Sequence, residues 1–166
     1  ITDQAAAQDV LSGKERGIDA KITRSENGKL VYHVAYPVTN SQGQRIGGLI
    51  LGVDLESFNA VHVDPVKIGA NGYAFIVDQE YRLLAHPKDK QSLPKPSGDL
   101  EFLRDIVAKK NGEISYVYQG VKKFAAFSHV QQTGWIVCVN ATEDEILAST
   151  ISMRNIIIGI GAGLCL

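Results

Sequence analysis

A strong charge of one sign is missing from this chain: 17 Lys and Arg stand against 18 Asp and Glu, for a net charge of −1. There is no basic field to hold nucleic acid and no acidic tail. Cysteine is scarce as well. Cys138 and Cys165 are the only two. They form no CxxC pair, and Cys165 lies in an apolar run, so neither a disulfide framework nor a zinc ligand set is on offer. His33, His62, His86 and His129 are scattered, without HExxH or other metal-ligand spacing. No GxSxG elbow and no phosphate-cradling loop occur. GIGAG near the C-terminal end lacks the preceding strand and following βαβ unit that a dinucleotide site requires. No pair of carboxylates is spaced for acid–base work. These absences exclude the common enzyme templates, and the sequence nominates no catalytic residue, no metal site and no cofactor.

Long apolar runs are also lacking, with one exception. After Arg154-Asn155 comes IIIGIGAGLCL, residues 156–166, without a charge. A spanning helix needs roughly 20 such residues. Gly159, Gly161 and Gly163 weaken a water-exposed helix but suit close helix packing in a bilayer. We read the run as the start of a transmembrane helix, and the chain as part of a larger, membrane-anchored protein; a buried C-terminal element is the alternative.

What is present is an ordinary globular composition, 45% hydrophobic and 21% charged, with patterning that alternates between strand and helix. ITDQAAAQDVLSG predicts a helix ending near Gly13, and the pattern becomes strand-like after Gly17. KLVYHVAYPV (Lys29–Val38) and IGGLILGVDL (Ile46–Leu55) predict a hairpin across the turn SQGQR. A connection with a short helical piece near SFNAV follows and breaks at Asp64-Pro65. Tyr73–Asp78 and Arg82–His86 predict a second hairpin. Tyr73, Phe75 and Val77 should face one side, and Ala74 and Ile76 the other, because strand side chains alternate. Leu100, Leu103 and Val107 make a helical stripe with Ser97 or Asp99 as N-cap and Asn111-Gly112 as the stop. Three strands follow, Glu113–Tyr118, Val121–Phe127 and Trp135–Val139, with a tight turn at Tyr118-Gln119-Gly120-Val121. Thr142-Glu143-Asp144-Glu145 is a capping box opening a last helix toward Arg154. The expected fold is α+β: an antiparallel five-stranded sheet flanked by helices. KLVYHVAYPV…IGGLILGVDL and ISYVYQGVKKFAAF…GWIVCVN echo one another as strand sets of similar layout, which suits two related domains with the first incomplete.

The Gly69-x-x-Gly72-Tyr73 motif, the Asp78 turn, Ala85-His86-Pro87, the Gly120 hairpin and Thr133-Gly134-Trp135, in that order and running into the last helix, resemble the membrane-proximal half of a double Cache domain. Such domains are PAS-like sensors on the outer side of the membrane in chemoreceptors and sensor kinases. AYPVTNSQGQRIGGLILGVDL resembles the closing strands of the membrane-distal half. The resemblance implies four segments: 1–62, the remnant of a distal subdomain; 63–141, a proximal subdomain; 142–153, a signalling helix; and 154–166, the start of the membrane helix. It implies a periplasmic or extracellular input domain of a receptor, first of all a methyl-accepting chemotaxis protein. A histidine kinase, a diguanylate cyclase or a non-binding spacer are the alternatives. A small-molecule ligand, an amino acid or carboxylic acid, and a homodimer in the full receptor are the implied partners; nucleic acid is not.

The resemblance places Asp54 where amino-acid-binding members keep a carboxylate for the ligand's amino group; a strand-end aspartate facing water is the alternative. Tyr32, Tyr36, Tyr73 and His86 complete the candidate ligand-binding set. His86 also reads as the end of a strand, with Pro87 forbidding the next ladder bond, and Asp78 as a cap on its own turn. Two departures stand out. The arginine and aromatic residues that grip a ligand carboxylate in such members have no counterpart here. Tyr81 occupies a position where the family usually has glycine, which predicts another turn type or a strained tyrosine.

Overall fold

The computed structural model describes residues 5–90 and 93–148. They form two antiparallel sheets that share a core. The first sheet is a meander, β1 (Gly17–Arg24), β2 (Leu30–Thr39) and β3 (Arg45–Asp54), in the order β1-β2-β3. Helix α1 (Ala5–Leu11) covers one face through Ala6, Val10 and Ala35. Arg45 ties down the end of α1 and the loop after it: its guanidinium donates to Val10 O (2.8 Å), Gly13 O (2.6 Å) and Lys14 O (2.9 Å). β3 runs directly into α2 (Leu55–His62).

The second sheet has the order β7-β6-β5-β10-β9-β8, with β4 pairing β5. Five strands make its body: β5 (Gly72–Val77), β6 (Arg82–Ala85), β8 (Gly112–Tyr118), β9 (Val121–Val130) and β10 (Trp135–Thr142). The two-residue strands β4 (Lys67–Ile68) and β7 (Lys95–Pro96) flank them, and α3 (Glu101–Lys109) packs on one face. The five long strands, antiparallel throughout and backed by helices, are the α+β architecture that the sequence predicts.

Central strand β5 shows why the alternation was readable. Tyr73, Phe75 and Val77 enter the core under α3 with Leu103, Ile106, Ile136 and Cys138. Ala74 and Ile76 enter a second core with Tyr32, Leu55, Val63, Leu84 and Trp135, which spans both sheets. Tyr32 of β2 packs edge-on against Trp135 of β10 at 5.0 Å and against Phe58 of α2 at 6.0 Å. Asn59 of α2 donates to Leu84 O at 3.0 Å. This aromatic and polar junction fixes α2 between the sheets.

Several local expectations shift. α3 begins after Leu100, which caps it without a side-chain hydrogen bond, so neither Ser97 nor Asp99 is the N-cap. Ile106 joins the expected stripe, fully buried. β9 and β10 run to Val130 and Thr142, three residues longer than expected, because pairing in the β9–β10 ladder continues from Trp135–Val130 to Thr142–Lys123. The first sheet gains β1 as a full strand. Its residues GIDAKITR are mostly half-buried, so its alternation is weak. The hairpin turn at Gln119-Gly120 has φ of 51° and 76°, the two left-handed positions of the turn that suits strand twist.

The apolar run 156–166 and most of the expected helix beyond 148 lie outside the described residues. Among the described residues no helix is long and apolar enough to cross a membrane.

Candidate functional site: a charged cleft between the sheets

The β2–β3 register pairs Val31 with Asp54, which brings Lys29 at the start of one strand beside Asp54 at the end of the other. Lys29 Nζ donates to Asp54 Oδ2 at 2.6 Å. Asp54 is also the N-cap of α2. Its carboxylate accepts from Glu56 N (3.0 Å), Ser57 N (3.5 Å) and Ser57 Oγ (3.0 Å). The Lys29 hydrogen bond, and after it those of Ser57 and Glu56, outweigh partial burial and hold the carboxyl at about 2.

Asp54 opens on a cleft of about 540 Å³ between the β1–β2 turn, α2 and the segment after β6. The cleft has both signs of charge: Arg24, Lys29 and Lys90 against Asp54, Glu56 and Asp64. Lys90 is ion-paired with Asp64. Two buried acceptors on its wall, Asn59 Oδ1 and Asp64 Oδ1, have no hydrogen-bond partner. Buried polar atoms are normally satisfied, so these are sites where a ligand donor would be accommodated. His86 lines the same cleft.

His86 also lines a second, smaller pocket of about 40 Å³, together with Tyr73. Its ring packs edge-on against Tyr73 at 4.8 Å, and its Nδ1 accepts the Lys88 N–H at 3.2 Å. Burial, aided by the positive charge of Lys123, Lys88 and Lys95 and opposed by Asp89, lowers its pKa to about 4. The imidazole is therefore neutral near pH 7, and with Nδ1 accepting, its proton sits on Nε2. β6 ends at Ala85, one residue before it.

The structure thus joins Asp54 to His86 in one cleft and His86 to Tyr73 in another pocket. Tyr32 is buried in the junction, and Tyr36 is exposed on β2 beside Val38, Leu49 and Leu51, which are exposed as well. Lys29, Asn59, Asp64 and Lys90 escaped the sequence reading. Lys29 could have been found from hairpin register alone. Lys90 and Asp64 meet across 26 residues, and no local pattern announces them. Among the described residues no group of three or more His, Cys, Asp and Glu could hold a metal ion.

The Gly69-x-x-Gly72 motif has a direct steric basis. A Cβ on Gly72 would lie 2.3 Å from both Asn140 O and Ile68 O, and Gly69 has φ +62° with Glu145 3.2 Å from where its Cβ would be. With the motif explained and the two-sheet fold in place, comparison with known proteins decides the family: the Cache domain profile matches residues 7–150. The chain belongs to the Cache domain family. Its fold is PAS-like. Among curated relatives, the methyl-accepting chemotaxis protein McpA of Bacillus subtilis is 31% identical over 133 residues, 74% of this chain and 20% of McpA. The chain spans about a fifth of the length of the curated relatives it matches. The ligand-binding domain of the Campylobacter jejuni chemoreceptor Tlp3, solved with 4-methylisoleucine, superposes with a TM-score of 0.63 at 16% identity, covering 87% of this chain and 54% of Tlp3's. The ligand-binding domain of the Pseudomonas aeruginosa amino acid chemoreceptor PctB, solved with L-Arg, gives 0.57 at 19% identity, covering 87% and 62%.

Proposed function

We propose that this Cache domain is the ligand-sensing input domain of a transmembrane chemotaxis receptor, on the outer side of the membrane, and that it binds an amino acid or a related carboxylic acid. The observation that carries the reading is the cleft at Asp54: about 540 Å³ lined by paired carboxylates and ammonium groups, with two unpartnered buried acceptors. That volume lies within the range of small-molecule sites, roughly 300–1,000 Å³. A zwitterion fits it. Its ammonium would meet Asp54, Asp64 and Asn59 Oδ1, and its carboxylate Lys29, Lys90 or Arg24, exchanging the internal ion pairs for pairs with ligand. The chemotaxis relatives and the amino-acid complexes of neighbours with this fold point the same way.

The signal would leave through the helical segment 143–148. Glu145 ties that segment to the Gly69–Gly72 turn, accepting from Ala70 N (2.8 Å), Asn71 N (2.8 Å) and Asn71 Nδ2 (3.0 Å). The segment is coupled to β5 through this contact and to the cleft through the shared core. Membrane anchoring by 154–166 and dimerisation in the complete receptor belong to the same proposal. A histidine kinase or diguanylate cyclase is the alternative output, and a non-binding spacer the alternative role.

Asp54→Asn is the discriminating variant, because asparagine is as good an N-cap as aspartate but, being neutral, cannot form an ion pair with an ammonium group. The expected result is saturable calorimetric binding of one or more L-amino acids to the chain, lost in Asp54→Asn at unchanged fold. Binding undiminished in the variant moves the site elsewhere; no binding by any amino or carboxylic acid leaves the spacer.

A further inference from the structure

Helix α2 touches both the cleft and the second sheet. Its cap, Asp54, and its buried Asn59 lie on the cleft wall. Leu55, Phe58 and Asn59, spaced i, i+3, i+4, form the face that enters the junction between the sheets. Glu56, Ser57, Ala60 and Val61 face solvent, so the helix is seated by that one face and by its cap. The two anchors are chemically linked. The carboxylate that a ligand ammonium would draw from Lys29 is the same one that accepts from Glu56 N, Ser57 N and Ser57 Oγ. A change of partner at Asp54 therefore moves the cap, and α2 with it.

Two residues of that face grip the second sheet. Phe58, which does not line the cleft, packs edge-on against Trp135 with ring centroids 6.3 Å apart. Asn59 Nδ2 donates to Leu84 O of β6, while its Oδ1 stands on the cleft side, buried and without a hydrogen-bond partner. A donor placed on Oδ1 polarises the carboxamide and strengthens its bond to Leu84. Trp135 opens β10, and Thr142 at the other end of β10 is the cap that holds Glu145. β10 is paired on both sides, with β5 and β9. A strand so held, in a close-packed interior, passes a displacement along its length instead of absorbing it. One helix and one strand thus join the cleft to the segment 143–148.

We propose that Phe58 and Asn59 are the positioning residues through which a change at Asp54 reaches the output segment. α2 shifts as a rigid unit when Asp54 changes partner; Phe58 hands that shift to Trp135 and β10, and Asn59 hands it to β6. The inference rests on the cleft as the sensing site, but the coupling is open to test without a ligand.

Trp135 is the single tryptophan of the chain, so its indole N–H resonance reports this contact alone. Asp54→Ala, which removes the cap and the Lys29 pair together, imitates a change of partner. The expected result is a shift of the Trp135 indole and of the amides of 136–142 in Asp54→Ala relative to the parent, with β8 at the far edge of the sheet unmoved. In a Phe58→Leu background the same substitution should lose most of that shift. A Phe58→Tyr background, which keeps the ring, should restore it, as simple filling of space would not require. In an Asn59→Leu background the accompanying shift at 82–85 should be lost. Should Asp54→Ala fail to fold, Asp54→Asn, which keeps the cap and drops the Lys29 ion pair, is read in the same way, with a smaller shift expected. A Trp135 resonance unmoved by substitution at Asp54, or moved equally with and without the Phe58 ring, would overturn the proposal. Absence of amino-acid binding in calorimetry would instead remove the sensing reading, while a shift that depends on Phe58 would still establish the coupling.

Discussion

His86 ends β6, caps its own turn through the Lys88 N–H, packs on Tyr73 and stands in the wall of both cavities. It binds its proton at about 4 instead of 6.5 because burial disfavours the imidazolium. Between those values the unfolded chain holds more protons than the folded one, so stability rises with pH across the window and is lost as pH falls from 6.5 toward 4. Denaturation of His86→Gln should show this slope flattened, by urea midpoints at closely spaced pH. An unchanged slope would assign it to other groups. Tyr81 is a second informative residue. Its φ is 60°, as the missing glycine implied, while Asp78 secures the turn by accepting from Glu80 N and Arg82 N at 2.9 Å and from Arg82 Nε at 2.7 Å. The left-handed region costs an ordinary residue about 1–2 kcal/mol. Tyr81→Gly should therefore match or exceed the parent in stability, whereas Tyr81→Val should be less stable than the parent because a β-branched side chain fits the left-handed region worse than tyrosine, read from chemical unfolding. Both residues were legible in sequence as anomalies. The burial that retunes His86 was not, since it comes from Tyr73 and the α3 layer.

Among the elements, the last turn of the chain's fold is the most exposed to test. The capping box at Thr142 forms as its letters suggest: Glu145 N donates to Thr142 Oγ1 at 3.3 Å, and Glu145 Oε2 accepts from Thr142 N (3.2 Å) and Oγ1 (2.9 Å). What the letters could not announce is the other half of the same carboxylate, bound to the Gly69–Gly72 turn 74 residues earlier. Desolvation pushes the Glu145 carboxyl up, but hydrogen bonds from Thr142, Asn71 and Ala70 prevail and lower it from 4.5 to about 2. The stability it contributes is complete above 4.5 and is lost as pH falls through about 2, a window below that of His86. Glu145→Gln should lessen the acid-side slope, to which Asp54 also contributes. It should also speed amide exchange at Ala70 and Asn71 while leaving β8–β9 unchanged; unchanged exchange at 70 and 71 would contradict the coupling. Strand alternation in β5 and the α3 stripe were readable because each buries a periodic face. The α3 cap was not readable, and of β1 only the strand-like pattern after Gly17 was, not its bounds. Tertiary packing, not local chemistry, fixes the cap at Leu100, and β1 is half-buried on both faces.

Across the whole molecule, two meanders of the same plan, β1-β2-β3 and β8-β9-β10, each run into a capped helix, at Asp54 and at Thr142. The echo in the sequence has this physical counterpart. The first meander leaves Tyr36, Val38, Leu49 and Leu51 exposed, whereas every residue of β5 is buried. Native-state hydrogen exchange should therefore show weaker protection over 1–62 than over 69–140; equal protection would argue for a single cooperative unit without the division at 62/63. The cleft belongs to neither meander alone, which is why a reading by motifs recovered Asp54 and His86 but not Lys29, Asn59, Asp64 and Lys90. Lys29 and Asp54 meet within the first meander, whereas Lys90 reaches Asp64 only once the segment after β6 packs beside α2.

Calorimetric titration of the chain and of Asp54→Asn with a panel of L-amino acids and small carboxylic acids separates a sensing cleft from a spacer. Saturable binding of at least one amino acid to the parent is expected, abolished in Asp54→Asn, with stabilisation of the parent by about 2.7 kcal/mol at a ligand concentration of 100 Kd. A parent that binds nothing in the panel, or a variant that binds as tightly as the parent, would contradict it.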